Sequence, residues 1–333
     1  MNPTNSNNPI NPTNPNIPTI LLTIDVEDWF QVENFKQCIP FSSWPDCELR
    51  VEKNTHRLLD LLDATKLRAP ARTRDQANST SPSNSINPKN SPLATFFILG
   101  WIAERLPHLV REIHSRGHEV ASHGYAHNLC NKGSPADLKE DLSHSKKLLE
   151  DIICGPIYGY RAPSFSINHD ILKIIRDCGY LYDSSYNSFA IHGRYGRLNL
   201  SQNGRRDIAT RIADARCPTQ NPESKVLHEL PISNLKLGNY TWPWGGGAYF
   251  RLIPSPIFIA GVKAILRKQN TCLLYLHPWE FDPEQPKVER SPMFFKFRHY
   301  TNLDKTASKL SLFIEAFKES RFITCKQYLE DNL

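Results

Sequence analysis

Two histidines, His123 and His127, stand four residues apart in Ser122-His123-Gly124-Tyr125-Ala126-His127. They follow the apolar run Glu119-Val120-Ala121, which reads as a short strand. The pair therefore falls where a strand runs out into a loop. That spacing lets two imidazoles turn toward one point. A divalent cation held this way needs a third, harder ligand, and an open position if it is to do chemistry. In a chain with 12 histidines the pair alone is a weak signal, and the same spacing serves solvated loops. Its companions strengthen it. Asp25, Glu27 and Asp28 leave a second apolar run, Thr19–Ile24, within four residues. Buried like charges repel, so this cluster asks for a cation. Three further apolar runs end in polar residues: Ile157–Tyr160 at Arg161-Ala162-Pro163, Tyr180–Tyr182 at Asp183-Ser184-Ser185, and Thr271–Leu276 at His277-Pro278-Trp279-Glu280.

The elements that must position these residues alternate along the chain. Strands are expected at Thr19–Ile24, Ala94–Leu99, His118–Ala121, Ile157–Tyr160, Val226–Leu230, Thr271–Leu276 and Phe322–Thr324. Helices are expected over Val51–Asp63, Trp101–Arg116, Pro135–Ile153, Asn168–Cys178, Ser255–Lys268 and Leu303–Lys318. The third opens on Ser134 and Pro135, a cap followed by a first-turn proline. Asn187–Glu223 is polar and irregular, and Leu237–Tyr249 reads as a Gly/Trp-rich loop. Polar residues recurring just past strand C-termini are the layout of a (β/α) barrel. The strand count favours a distorted, incomplete α/β barrel over a full one, with an open doubly wound sheet as the alternative.

Composition bounds the rest. The chain has 333 residues, 40% hydrophobic, enough for a sizeable core. Its net charge of +6 is spread out, and no basic stripe with interleaved aromatics points to nucleic acid. Eight cysteines are scattered with no C-x-x-C pair, as expected of reduced core residues. Residues 1–18 form an Asn/Pro-rich tail expected to be disordered. Residues 68–92 read as a disordered Ser/Asn/Pro-rich insertion in a surface loop. The remainder, 19–331, is expected to be a single domain. No secretory signal or membrane-length apolar run is evident, so the expected location is cytoplasmic.

Taken in order, Asp25-Val26-Glu27-Asp28-Trp29-Phe30, Thr95-Phe96-Phe97, Ser122–His127, Arg161-Ala162-Pro163-Ser164-Phe165, Tyr182-Asp183-Ser184-Ser185 and Leu276-His277-Pro278-Trp279-Glu280 resemble the polysaccharide deacetylases, the NodB-homology carbohydrate esterases. Three further motifs are similar to hallmarks of the bacterial exosortase-associated subgroup: Gly245–Arg251, His277–Pro283 and Phe297–Tyr300. The resemblance spans about Ile20 to Phe322, with the part from about 190 to 331 specific to the subgroup. It implies a distorted barrel of about seven strands, the NodB-homology fold. It also implies metal-dependent removal of N-acetyl groups from the amino sugars of a bacterial exopolysaccharide. An N-acetylated polysaccharide or oligosaccharide is then the substrate, and membrane-associated exopolysaccharide assembly machinery is a candidate partner.

Amide hydrolysis needs a nucleophilic water, an electrophile for the oxyanion, and an acid for the leaving amine. A metal with an open position serves the first two needs. By the resemblance, His123 and His127 are metal ligands, Asp25 the general base and Arg161 the group that orients it. His277 is the general acid, at an ordinary pKa of about 6.5, and Asp183 tunes it. The third ligand stays open. The family has two adjacent Asp here, whereas this chain reads Asp-Val-Glu-Asp. Glu27 is favoured, because it follows Asp25 on one side of an extended chain; Asp28 is the alternative. Zinc is the default metal, and nickel, cobalt and iron fit the same ligands. Trp29, Tyr125 and Trp279, with Pro163 fixing its loop, are the expected substrate contacts, and Trp242 and Trp244 are further loop aromatics. Two rival readings keep the fold: a hydrolase of a small cyclic amide, as in allantoinase-like relatives, and a non-catalytic saccharide-binding protein.

Overall fold

The computed structural model describes residues 17–65, 67, 91–189, 196, 198, 208–212, 226–238 and 240–332. Nearly all of the expected tail and insertion, and most of 190–225, fall outside the described residues.

The chain opens with β1 (Thr19–Val26), whose eight residues are all buried, as a parallel strand covered on both faces requires. It continues through α1 (Val51–Ala64), β2 (Ala94–Ile98), α2 (Gly100–Arg105), α3 (Pro107–Ser115), β3 (Glu119–Ser122), α4 (Pro135–Ile153) and β4 (Gly159–Tyr160). Next come α5 (His169–Asp177), β5 (Tyr182–Asp183), β6 (Thr210–Ile212), β7 (Leu227–Glu229), and a hairpin of β8 (Leu235–Leu237) and β9 (Tyr240–Trp242). The last stretch holds α6 (Gly247–Leu252), α7 (Ser255–Gln269), β10 (Thr271–Leu276), α8 (Met293–Tyr300), α9 (Thr306–Ala316), β11 (Arg321–Phe322) and α10 (Cys325–Asn332).

Seven strands run parallel in the order β10-β1-β2-β3-β4-β5-β7. β6 adds antiparallel to β7, and β11 pairs with the start of β1. The fold is the expected α/β distorted barrel. Among the described residues, its two edges are not joined by a ladder. Irregular chain spans the gap instead: the Ser233 N–H donates to the Leu273 carbonyl (3.1 Å), and the Tyr275 N–H donates to the Gly245 carbonyl (2.8 Å). A Cβ on Gly245 would lie 2.7 Å from the Ser233 oxygen, so only glycine allows that approach.

Period-two alternation divides the core. Ile20, Leu22, Ile24, Phe96, Ile98 and Val120 face the outer helices, in one large cluster. Leu21, Phe97, Ala121, Tyr182, Leu273 and Tyr275 face inward, and Cys325, Tyr328 and Leu329 of α10 join them. Asp25 shares the inward parity of Leu21 and Thr23. It therefore reaches the barrel interior at the carboxyl end of β1.

Several local expectations are corrected. The single helix Trp101–Arg116 is two, broken at Leu106 (φ −126°, ψ 56°), because a residue before proline avoids the helical region. The expected Leu237–Tyr249 loop is half of a hairpin followed by α6. The expected Leu303–Lys318 helix starts with a 3-10 turn and is α-helical only over Thr306–Ala316. The last strand is Arg321–Phe322, and α8 and α10 had no sequence counterpart. Among the described cysteines, Cys130, Cys272 and Cys325 are buried and free, whereas Cys154 is exposed. Among the described residues, no helix is long and apolar enough to cross a membrane.

Candidate active site

Strand ends deliver three donors to one point. Glu27 follows β1, and a bond from its N–H to the Asp25 carbonyl (2.9 Å) turns the chain there. His123 follows β3. His127 comes from the loop beyond, where a left-handed φ of 51° swings its ring back. Glu27 Oε1 lies 3.0 Å from His123 Nε2 and 3.1 Å from His127 Nε2. All three side chains are buried. Burial alone would raise the Glu27 carboxyl; the His127 charge and hydrogen bonds from His123 and His127 outweigh it and hold the group well below its usual range.

The donor chemistry tests whether a cation fits. His123 Nδ1 lies 2.7 Å from the Arg161 carbonyl, which only accepts, so Nδ1 carries the proton. On a neutral ring, Nε2 is then a lone pair aimed at a carboxylate oxygen, another lone pair. A cation between them, or a second proton on the ring, resolves that clash. Two imidazole nitrogens and a carboxylate oxygen within 4.8 Å of one another suit a divalent ion. The Nδ1 contact is the backbone support that a metal-ligating histidine commonly has.

Beside this trio sits Asp25. Arg161, fully buried at the end of β4, donates from Nη1 to Asp25 Oδ1 (2.6 Å) and to Thr23 Oγ1 (2.8 Å). Its Nε and Nη2 reach the Ser184 carbonyl (2.9 Å) and hydroxyl (2.8 Å). The guanidinium is thus locked from both sides and leaves the other Asp25 oxygen free to face the cleft. His277 Nε2 lies 4.0 Å from that oxygen, Oδ2. The His277 ring is desolvated, which lowers its pKa. Hydrogen bonding and charge from Glu280, then Glu27 and Asp25, overcome this and raise it to about 9.

Glu280 is a residue to which sequence reasoning gave no role. Its Oε2 accepts the His277 N–H (3.0 Å) and lies 3.4 Å from His277 Nδ1. Its other oxygen takes Arg251 Nε (3.0 Å), and both partners of this pair are buried. Arg251 also donates to the carbonyls of Arg298, His299 and Thr301. A Cβ on Gly247 would sit 1.9 Å from Glu280 Oε2, so a glycine makes room for the carboxylate. Trp279 stacks between His277 (5.0 Å) and His299 (4.1 Å, 11° between planes). The three late motifs, Gly245–Arg251, His277–Pro283 and Phe297–Tyr300, therefore converge behind one imidazole. Their presence in the sequence was the available signal; their meeting point was not readable there.

Other expected site residues lie elsewhere. Asp28 does not join the trio. Its carboxylate accepts the N–H groups of Arg50 (2.6 Å) and Val51 (2.8 Å) at the start of α1, and burial, partly offset by these bonds, lifts it to about 6. Asp183 does not touch His277. It accepts from the Ser185 N–H (3.0 Å) and Oγ (2.7 Å), and faces Glu229 across the β5–β7 register. Burial raises both carboxyls, and their mutual repulsion raises Glu229 further. Trp29 is buried, donates to the Glu48 carbonyl (3.1 Å) and packs edge-on against Phe30. Tyr125 bonds Glu104 (2.7 Å) and stacks on His144. Pro163 is buried, and Trp244 is buried against Phe258. Of the four expected substrate contacts, only Trp279 lines the cleft, a space of about 450 Å³ that Asp25, Glu27, His123, His127 and His277 share.

A seven-stranded parallel barrel carrying two histidines and a carboxylate at its carboxyl edge defines the NodB-homology class of fold. Comparison with known proteins agrees. The profile described as "Polysaccharide deacetylase" matches residues 88–182. A second profile, described as "Domain of unknown function (DUF3473)" and characteristic of exosortase-associated deacetylases, matches residues 184–330. A peptidoglycan-N-acetylglucosamine deacetylase of Bacillus cereus is 32% identical over 87 residues, 26% of this chain and 40% of the relative. A chitooligosaccharide deacetylase of Azorhizobium caulinodans is 29% identical over 93 residues, 27% of this chain and 44% of the relative. The chain thus spans less than half the length of the curated relatives it matches. Among solved structures, a Mycobacterium smegmatis protein described as a polysaccharide deacetylase aligns with a TM-score of 0.53 at 19% identity, covering 94% of this chain and 88% of that one. Puue allantoinase aligns with a TM-score of 0.56 at 13% identity, covering 97% and 94%. At such identities the likeness is one of fold.

Proposed function

We propose that this chain is a divalent-cation-dependent N-deacetylase acting on N-acetylated amino sugars of a bacterial exopolysaccharide. The observation that carries the reading is the placement of two unlike proton-transfer groups, Asp25 and His277, beside one His-His-carboxylate trio. Glu27, His123 and His127 would hold the cation. When bound, it polarises the acetamide carbonyl and makes a water more acidic. Arg161 occupies one oxygen of Asp25 and fixes the orientation of its carboxyl group. Its free oxygen takes the proton from the attacking water, a role worth about 10²–10⁴-fold in rate. Glu280 raises the proton affinity of His277, which gives its proton to the departing amine. The 4.0 Å between Asp25 and His277 leaves the two groups unbonded to each other, so each faces the cleft. Zinc is the default ion for this ligand set.

The test is elemental analysis followed by acetate release from N-acetylated oligosaccharides. About one cation per chain is expected, lost in both His123→Ala and His127→Ala. Asp25→Asn should keep the cation and lose at least about 100-fold in turnover. A parent protein that takes up no cation after zinc incubation overturns the reading.

A further inference from the structure

α8 contributes the aromatic side chains Phe294 and Phe295 to the lining of the cleft. One side of this helix is pinned to the catalytic machinery by the His299–Trp279 stack, by the Arg251 bonds to its carbonyls, and by His299 Nε2 against Gln285 Oε1 (2.7 Å). Its other side is bare: Met293 is 81% exposed, Phe294 62% and Phe297 58%. Met293 and Phe297 are four residues apart and Phe294 and Phe297 three, so the side chains are neighbours on the helix surface. Phe294 and Phe295 line the same cleft as Asp25 and His277. An exposed apolar patch continuous with a polar cleft marks a ligand surface.

We propose that Met293, Phe294 and Phe297 form an accessory glycan subsite. On it, a sugar ring beyond the reacting residue lays its C–H face against the aromatic rings. The inference rests on the proposed activity, and the occupant is the substrate's own chain. A cleft of about 450 Å³ is in the small-ligand range, so a polymer must leave it over the rim. α8 presents exposed apolar side chains next to the cleft residues Phe294 and Phe295, and aromatic rings offer stacking area at low entropic cost. The pinned face fixes the distance between this shelf and His277, so the subsite selects for chain length.

The test uses N-acetylglucosamine oligomers of two to six sugars. In the parent, kcat/KM should rise with length. In Phe294→Ala/Phe297→Ala, the ratio of hexamer to dimer kcat/KM should fall about 10-fold, in the range expected for two lost aromatic contacts. Both side chains are exposed, so the variant should fold. Acetate release that is insensitive to length in the parent, or a ratio unchanged in the variant, overturns the proposal. So does a parent dimer that the variant converts to monomer at an unchanged ratio, which would make the patch a self-association surface. Hexamer binding to Asp25→Asn, measured by calorimetry, separates the two readings. Length-dependent binding lost in the Phe variant, with no acetate released by the parent, keeps the subsite and removes the deacetylase. Binding that ignores both length and the Phe substitutions removes the subsite.

Discussion

Replacing Glu280 by Gln isolates one carboxylate with two loads. The His277 ring stands at about 9 against an ordinary 6.5. At about 1.4 kcal/mol per unit, its surroundings favour the protonated form by roughly 3 kcal/mol after the burial penalty. Glu280 is the largest favourable contributor, so Glu280→Gln should weaken proton affinity at His277 by at least about tenfold. The natural assay is an NMR titration of the His277 ring in cation-free protein, since a cation beside the ring would itself push proton affinity down. Stability gives a second readout. A histidine raised on folding stabilises the protein fully below about pH 6.5, and that contribution fades as pH climbs through about 9. Urea melts of the parent should therefore lose stability across that window. The variant should show a shallower slope, and should also be less stable by about 3 kcal/mol, because Arg251 keeps its charge in a buried place without its partner. An unshifted His277 midpoint and an intact slope in Glu280→Gln would refute the assignment of Glu280 as the group that raises the His277 proton affinity.

Two further substitutions separate ligand from scaffold. Asp28→Ala should keep the cation and cost about 1–2 kcal/mol from the start of α1, whereas Glu27→Ala should lose the cation; metal analysis with the opposite pattern makes Asp28 the third ligand. Gly247→Ala should destabilise by about 1–3 kcal/mol through overpacking against Glu280 and lower the His277 midpoint as well. A thermal melt and ring titration matching the parent would show that the carboxylate has room to move.

The legible part of the site was the part whose residue types are rare and local. His123, Arg161 and His277 each sit one step past a strand, with His127 in the loop that follows His123, and in a parallel barrel those steps share a rim. The run Thr19–Ile24 was readable as a strand because four of its six residues are large and aliphatic, and the observed strand extends it to Val26. What misled was adjacency. Asp28 stands beside Glu27 in sequence, yet its partners are the amides of Arg50 and Val51, more than twenty residues on. Trp29 and Tyr125 were plausible sugar contacts by type, but a loop aromatic is as readily a core residue, and only packing tells which. Asp183 was expected to serve His277 and instead pairs with a neighbour strand. Glu280, Arg251 and His299 act through one another across long stretches of chain, and no local pattern marks such a contact. α8 is rich in β-favouring aromatics, and its helix is fixed by tertiary bonds at its inner face.

The sheet order has a consequence for synthesis. β1 lies between β2 and β10, and its Thr23 hydroxyl binds Leu274, 251 residues later. At about 5–20 residues per second a ribosome takes roughly 10–50 s to cover that distance. Through that interval β1, which the finished fold buries on both faces, has one open edge, and an open strand edge is a template for pairing with other chains. The emerging protein already holds Asp25, Arg161 and the histidine pair. It gains His277 only when the strand that covers this edge is made, so the candidate site and the protected sheet are completed together.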